Sequence, residues 1–217
     1  MLTQISNMRY DTGVFSLAYA GSVRYYAAML ACRRVVVHTA ERRKKTPWCA
    51  HHCRVIGANG EQTLTLPLVK PASGAVNTLE ISEHGDWRRT HWGAVFSAYG
   101  KSPFFEYIAD DLEAIYNDTS ITSLADFNIA IHRLVIDFLD LPIDVEYVDE
   151  LPEMSEGVVD LRGKVGMSSA DGLDWIADES YWQVWQDRHG FRPDQSIFDL
   201  LMTNGREALF ILERMIK

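Results

Sequence analysis

The sequence predicts an α/β fold: one domain over residues 1–217, with a central mixed sheet that holds an N-terminal βαβ unit and a hairpin and is covered by helices. A β-prone run at 14–19, a segment with helical spacing at 22–32 and an apolar run at 34–38 follow one another closely, which is typical of a βαβ unit that opens a parallel sheet. Asn59 and Gly60 then lie between two further β-prone runs, and this dipeptide favours the tight turn of a hairpin.

The rest of the chain is predicted to be mainly helical. Caps and apolar spacing indicate helices at 86–99, 102–115, 123–139, 181–189 and 196–216, the last interrupted at Asn204 and Gly205. Short strands are expected at 78–82 and 145–148, and the stretch 152–178 is only weakly patterned. Because so many helices follow residue 86 in succession, an α+β arrangement with segregated helices is the alternative.

The composition is that of an ordinary globular protein, with 47% apolar and 24% charged residues. The formal net charge of −9 repels phosphate backbones, which argues against a general nucleic-acid binder. No run approaches the ~18 apolar residues that a membrane span requires, and the first residues lack the layout of a signal peptide. Three cysteines give no disulfide framework. We therefore expect a cytoplasmic protein with no nucleic-acid or membrane partner.

One stretch departs from this acidic balance. Basic side chains are concentrated between positions 33 and 54, at Arg33, Arg34, Arg42, Arg43, Lys44, Lys45 and Arg54. Such a stretch forms a solvated face or attracts an anionic ligand, and the sequence leaves both interpretations open.

Several segments together resemble the WbqC-like family. Residues 86–92 read Asp-Trp-Arg-Arg-Thr-His-Trp, and residues 97–107 read Ser-Ala-Tyr-Gly-Lys-Ser-Pro-Phe-Phe-Glu-Tyr. The C-terminal part adds Tyr-Trp-Gln-Val at 181–184, His-Gly-Phe-Arg-Pro at 189–193 and Ser-Ile-Phe-Asp-Leu-Leu at 196–201. Upstream, Lys45, residues 53–55, 59–60 and 66–68 fall in matching order, so the resemblance covers residues 14–212.

The resemblance implies a role in bacterial surface-polysaccharide biosynthesis, such as that of O-antigen. It implies an enzyme that acts on an activated sugar, by group transfer or amide formation, with an anionic small molecule or a nucleotide-sugar as substrate. A non-catalytic ligand-binding or scaffolding relative in the same pathway is the alternative. Nothing in the sequence calls for a cofactor, and the oligomeric state is not indicated.

The chain departs from the family pattern at two places. Family members resemble Tyr-Leu-Pro-Pro or Gln-Pro-x-Phe-Phe-Pro after the first strand, where residues 19–22 read Tyr-Ala-Gly-Ser. They also carry Arg-Asn-Arg before the hairpin, where residues 50–52 read Ala-His-His. Neutral imidazoles cannot clamp a carboxylate or phosphate as arginine forks do, so either the ligand differs or the site has decayed.

His91 and Tyr99 are the candidate catalytic residues. His91 lies in the most family-like block, on the helix face of Trp87, and imidazole is the natural proton shuttle near neutral pH. The alternative is a core histidine bonded to a backbone carbonyl. Trp87 on the same face is a candidate substrate contact.

The other candidate substrate contacts are polar or basic: Lys101, Ser102, Arg54, Lys45 and Gln183. Lys101 and Ser102 lie where one predicted helix ends and another begins, and the free N–H groups of a helix N-terminus attract anions. Simple capping explains Ser102 equally well, and a solvated basic edge explains Arg54, Lys45 and Lys70. Asp199 either orients a substrate with Gln183 or completes a capping box with Ser196.

The cysteines and neighbouring histidines give no metal prediction. Cys49, His51, His52 and Cys53 have the chemistry of zinc ligands, but they lack the paired spacing of a closed zinc site. A lone cysteine is more often a small buried hydrophobe than a nucleophile. No metal ligand is therefore predicted.

Overall fold

The computed structural model describes residues 8–42, 48–69, 74–165 and 173–217. Within these ranges the strands are β1 (Tyr10–Ser16), β2 (Cys32–His38), β3 (His52–Gly57), β4 (Gly60–Thr65), β5 (Asp144–Val148) and β6 (Val158–Asp160). The α-helices are α1 (Val23–Leu30), α2 (Trp87–Tyr99), α3 (Ala109–Asn117), α4 (Leu124–Leu139), α5 (Gln186–His189), α6 (Ile197–Asn204) and α7 (Ala208–Arg214). The α/β class is thus confirmed.

A four-stranded parallel sheet with the order β5-β2-β1-β6 forms the centre of the fold. β1 and β2 pair in register from Tyr10 with Cys32 to Ser16 with His38, and α1 connects them, which confirms the predicted βαβ unit. β3 and β4 form the predicted antiparallel hairpin, with Gly57 opposite Gly60, as a sheet of their own. The parallel strands end together at one edge, which is where open α/β sheets bind ligands.

Local sequence signals explain the best-predicted helices. The Ser22 side chain accepts from the Tyr25 amide at the start of α1, and the Ser123 side chain accepts from the Asp126 amide at the start of α4. α4 ends at Asp140, whose φ of 50° is left-handed. Most buried apolar residues of the described ranges form one contiguous cluster. The assignment of 1–217 to one domain stays a prediction.

Three predictions of local structure were wrong, and one short strand was not predicted. Instead of a strand at 78–82, the chain has a 3₁₀ turn at Val76–Thr78 followed by isolated bridges. The helix expected from Ser102 begins only at Ala109, after a 3₁₀ turn at Phe105–Tyr107. Of 181–189 only α5 is helical, and the weakly patterned stretch 152–178 contains β6, an edge strand with too few residues to show alternation.

The described members of the basic stretch do not form one surface. Arg33 and Arg34 lie at the amino end of β2, and Arg42 lies beyond its carboxyl end. Arg34 pairs with Glu146 on the neighbouring strand at 2.6 Å. Arg43, Lys44, Lys45 and Lys70 lie outside the described residues. Among the helices that the structure describes, none has the length and apolarity to cross a membrane.

Candidate functional site

Helix α2 packs against the hairpin, and His91 lies in that interface. Its side chain is only 5% exposed, with Nδ1 2.9 Å from the Tyr19 hydroxyl, and the ring also hydrogen-bonds the Thr65 carbonyl. Because the ring N–H is committed to Thr65, Nδ1 is the acceptor and the Tyr19 hydroxyl donates to it. Burial lowers the pKa of His91 to about 4, so the ring is neutral near pH 7. This geometry matches the alternative of a core histidine bonded to a backbone carbonyl.

Tyr99 lies two turns further along the same helix face and is fully buried. Its hydroxyl accepts from the Ile56 amide of β3 at 3.3 Å and hydrogen-bonds the Asp199 carboxylate of α6. Burial raises the pKa of Tyr99 well above the ordinary tyrosine value. Tyr99 therefore joins α2, the hairpin and α6, and its phenol stays protonated at physiological pH.

Asp199 is the buried centre of a second polar network. Its Oδ2 accepts from the Tyr181 hydroxyl at 2.8 Å and from Gln183 Nε2 at 2.7 Å. Burial raises the pKa of Asp199 to about 6, and the hydrogen bonds from Tyr181, Gln183 and Tyr99 oppose that increase. The Ser196 hydroxyl accepts from the Phe198 amide, whereas the Ser196 amide donates to the Arg54 carbonyl, so the predicted capping box with Asp199 was wrong.

Gln183 uses both ends of its side chain on the protein. Besides Asp199, its Nε2 donates to the Arg192 carbonyl at 2.9 Å, and its Oε1 accepts from the Arg192 amide at 2.8 Å. With no exposed surface, Gln183 holds the segment 181–192 in place in this structure. A direct contact between Gln183 and a substrate stays an untested prediction.

Trp87 is 7% exposed and packs between two aromatic neighbours. Its ring centroid lies 5.3 Å from that of His91 and 5.3 Å from that of Phe127. The Arg88 guanidinium lies 4.6 Å from the Trp87 ring centroid, a cation–π contact. Trp87 therefore packs between α2 and α4.

An open cleft lies beside these buried side chains, with a volume of about 500 Å³. The hairpin turn forms one wall with Asn59, Glu61 and Gln62, and α2 forms the other with Thr90, Gly93, Ala94 and Ser97. Neither His91 nor Tyr99 lines this cleft. Because both tie α2 to the hairpin strands, they fix the distance between its walls.

The remaining residues that were predicted to contact a substrate lie at different positions relative to the cleft. Arg54 pairs with Glu61 across the hairpin at 3.3 Å, so its charge lies behind a cleft-lining carboxylate. Lys101 is exposed and follows Ser97 by one helical turn. Ser102 is buried, and its hydroxyl donates to the Tyr99 carbonyl, so the prediction that it caps a helix was wrong. Lys45 lies outside the described residues.

The residues on the helix wall were not predicted as contacts. Positions 90, 93, 94 and 97 repeat at helical spacing and carry only small side chains, which is the signal that the sequence offered. Small residues on an exposed helix face let another group approach the backbone closely. The sequence alone does not say whether that group is a ligand or a packed side chain.

The loop after β1, where the chain departs from the family pattern, is closed by protein groups. Ala20 has a left-handed φ of 42°, and its carbonyl accepts from the Ser196 hydroxyl at 3.0 Å. The Asp194 carboxylate accepts from the Arg24 amide in the first turn of α1, and burial raises its pKa to about 6. An internal carboxylate thus occupies the position where a ligand anion meets a helix N-terminus in other α/β folds. The crevice left beside this loop is only about 10 Å³.

The cysteines have the environment of core residues. Cys32, Cys49 and Cys53 are all buried, and burial raises the thiol pKa of Cys32 and Cys49 to about 12. Thiolates are the reactive form, so these side chains are protonated and inert near pH 7. In the described part of the chain, no three His, Cys, Asp or Glu side chains are grouped to hold a metal ion.

Comparison with known proteins supplies the relationship. No curated protein and no solved structure matches the chain. The model of the WbqC-like protein family matches residues 18–211, which include the hairpin, α2 and the C-terminal helices described above. This match spans most of the sequence, and the chain therefore belongs to the WbqC-like protein family.

Proposed function

We propose that this protein acts in bacterial surface-polysaccharide biosynthesis, as an enzyme that binds an activated sugar in the cleft between α2 and the hairpin. The family name supports the pathway, and the cleft supports the kind of ligand. Its volume of about 500 Å³ suits a small organic ligand. The observation that carries the proposal is the lining of this cleft.

The polar groups of the cleft fit a polyhydroxylated ligand. Asn59, Gln62, Thr90 and Ser97 supply neutral donors and acceptors, and Glu61 supplies a carboxylate. Sugar hydroxyls are both donors and acceptors, so each of these side chains can bond one. The absence of a side chain at Gly93 opens the helix wall to such a ligand.

The basic residues next to the cleft fit the charged part of an activated sugar. Arg54 is anchored by Glu61, and Lys101 extends from the end of α2. A nucleotide-sugar carries a diphosphate beside the sugar ring, and cations next to the cleft attract it over a Debye length of about 10 Å. In this arrangement His91 and Tyr99 hold the walls of the cleft, and Glu61 is the cleft-lining group able to accept a proton.

The substitution Gly93→Leu tests the proposal without weakening the fold. A side chain at Gly93 meets no atom within 4 Å, so Leu projects into the cleft. Replacing a helical Gly stabilises a helix by up to about 1 kcal/mol. We expect an unchanged or higher melting temperature and at least roughly tenfold weaker binding in calorimetric titrations with uridine- and thymidine-diphosphate sugars.

Arg89→Leu is the matched control. Its side chain is 86% exposed on α2 and does not line the cleft. This variant should bind like the unmodified chain. Equal affinity in Gly93→Leu and the unmodified chain would exclude the cleft as the binding site.

A second candidate function is a non-catalytic binding protein in the same pathway. The burial of both His91 and Tyr99 favours it, because neither predicted catalytic side chain reaches solvent. Incubating the chain with the nucleotide-sugar it binds, together with candidate acceptors, separates the two. Turnover that is lost in Glu61→Gln supports the enzyme, and tight binding without turnover supports the binding protein.

A further inference from the structure

A second polar cluster lies at the carboxyl edge of the parallel sheet and shares no residue with the cleft. β1 is central there, with β2 on one side and β6 on the other. From β1 the chain passes to β2 and later to β5 on the same side, and only then crosses to β6 on the other side of β1, so the strand order reverses between β1 and β6. Open α/β sheets bind their ligands in the crevice at such a switch point.

Arg162 lies across this switch point in a fixed orientation. Its Nε and Nη2 donate to the two carboxylate oxygens of Asp160, at 2.9 and 2.7 Å. Its Nη1 donates to Nδ1 of His38 at 3.1 Å. His38 is the register partner of Ser16 at the end of β1, so the guanidinium bridges from the β6 side to the β2 side.

In this position the Arg162 guanidinium can still donate hydrogen bonds to a ligand. It has five N–H groups, and three of them are used by Asp160 and His38. The other two have no partner among the described residues. The side chain is 23% exposed, so these donors are held in place but are not sealed off. A fixed, partly desolvated guanidinium is the group that best matches the two oxygens of a carboxylate or phosphate.

Glu41 provides the opposite kind of group. Its Oε2 is buried and accepts no hydrogen bond from the residues that the structure describes. Burial and Arg162 lower the pKa of His38, and the charge of Glu41 opposes that shift; Asp160 raises the pKa of Arg162, with a smaller contribution from Glu41, so the Glu41 carboxylate lies near both side chains. A buried acceptor without a donor is costly, and a ligand that donates to it would remove that cost.

We infer that Arg162, Glu41 and His38 form a second ligand site, which takes a small molecule with an oxyanion next to a hydrogen-bond donor, such as a 2-amino or 2-hydroxy acid. The two N–H groups of Arg162 that have no partner among the described residues bind the oxyanion. Glu41 accepts a hydrogen bond from the ammonium or hydroxyl group. His38 positions the guanidinium through its Nδ1. The inference does not depend on the sugar cleft.

Titration of the full chain with four small probes, followed by NMR, tests this site. Glycine and glycolate carry both groups, acetate carries the oxyanion alone, and inorganic phosphate replaces the carboxylate. We expect glycine or glycolate to saturate with a dissociation constant on the order of 1 mM or tighter, and roughly tenfold tighter than acetate. Tighter binding of phosphate than of any carboxylate would assign the oxyanion to a phosphoryl group.

Two substitutions separate the roles of the charged residues. Arg162→Gln should abolish binding of every probe. Glu41→Gln should remove the preference for glycine over acetate while acetate binding persists. If Arg162→Gln lowers the melting temperature, Arg162→Lys keeps a charge beside Asp160 but loses the fork, and should still weaken binding roughly tenfold.

The Gly93→Leu variant is the control that keeps this site distinct from the cleft, and it should bind all four probes as the unmodified chain does. No saturable binding, equal affinity for acetate and glycine, or unchanged binding in Arg162→Gln and Arg162→Lys would each overturn the inference.

Discussion

Two buried histidines occupy opposite kinds of site in this protein. His91 lies between α2 and the hairpin, where its ring bonds the Tyr19 hydroxyl and the Thr65 carbonyl. His38 lies at the carboxyl edge of the sheet, where it bonds the Arg162 guanidinium next to the unpartnered oxygen of Glu41. The pKa of each ring is lowered mainly by burial.

The difference lies in what surrounds each ring. Groups of the protein satisfy His91, so it has little left to offer a ligand. His38 holds a cation that still has donors to offer. The residue in the most family-like segment therefore supports the fold, and the inferred ligand site lies at a residue outside every motif. Polar groups without a hydrogen-bond partner in the protein were a better guide to a site than residue type or position in a motif.

The largest expected effect that separates the two regions is on stability. His91→Ala leaves a cavity and deprives both the Tyr19 hydroxyl and the Thr65 carbonyl of a partner, so we expect the free energy of unfolding to fall by about 4 kcal/mol. His38→Ala at the sheet edge should cost about 1 kcal/mol, because water can reach the freed groups. Urea unfolding of both variants measures this. Equal losses would mean that His38 is as structural as His91.

The pH dependence of stability sharpens the contrast. The folded pKa of His91, about 4, is below the ordinary value of 6.5, so the unfolded chain binds the proton more readily. The stabilisation from neutral His91 is therefore complete above pH 6.5 and is lost as the pH falls towards 4. The difference in unfolding free energy between the unmodified chain and His91→Gln should shrink by about 3 kcal/mol from pH 7 to pH 4.

Asp199 provides a control, because its stability contribution changes with pH in the opposite direction. Its folded pKa, about 6, is above its ordinary value, so the folded chain binds the proton more readily. The unfolding free energy of the unmodified chain, relative to that of Asp199→Asn, should therefore increase as the pH falls from 6 to 4. If the difference in unfolding free energy between the unmodified chain and His91→Gln does not change with pH, the His91 ring is not desolvated in the folded protein.

The smallest expected effect concerns an ion pair at the other end of the sheet. Arg34 and Glu146 are 2.6 Å apart, but each side chain is 43% exposed. Arg34→Gln should lower the free energy of unfolding only slightly, with less loss at high salt. It should leave the titrations at Arg162 unchanged. A loss of probe binding would show that the charge of the whole sheet, and not the local geometry, attracts the oxyanion.

Much of the local structure could be predicted from neighbouring residues. Asn59 and Gly60 predict the hairpin because Gly60 readily adopts its φ of 103°. Ser123 and the apolar stripe predict α4, since a cap and a repeat of 3.6 residues are local properties. Ser102 misled because a Ser-Pro pair starts many helices, and here the Ser102 hydroxyl turns back to the Tyr99 carbonyl.

The candidate sites were much harder to predict. His91 was predicted to be either a catalytic residue or a core histidine, and its partners Tyr19 and Thr65, which favour the second, are distant in sequence. Nothing near Glu41 in the sequence indicates that its charge acts on Arg162, which is more than a hundred positions away. Contacts of this kind depend on the order of strands in the sheet.

The sequence by itself determined the α/β class, the opening βαβ unit, the hairpin and the family. These follow from spacing, turn chemistry and motif order, which act over a few residues. Only the tertiary structure decided which polar groups are satisfied and which are not. Whether a polar atom has a hydrogen-bond partner depends on all the donors, acceptors and buried surface around it. The packing of the parallel sheet against the hairpin and α2 brings these groups together.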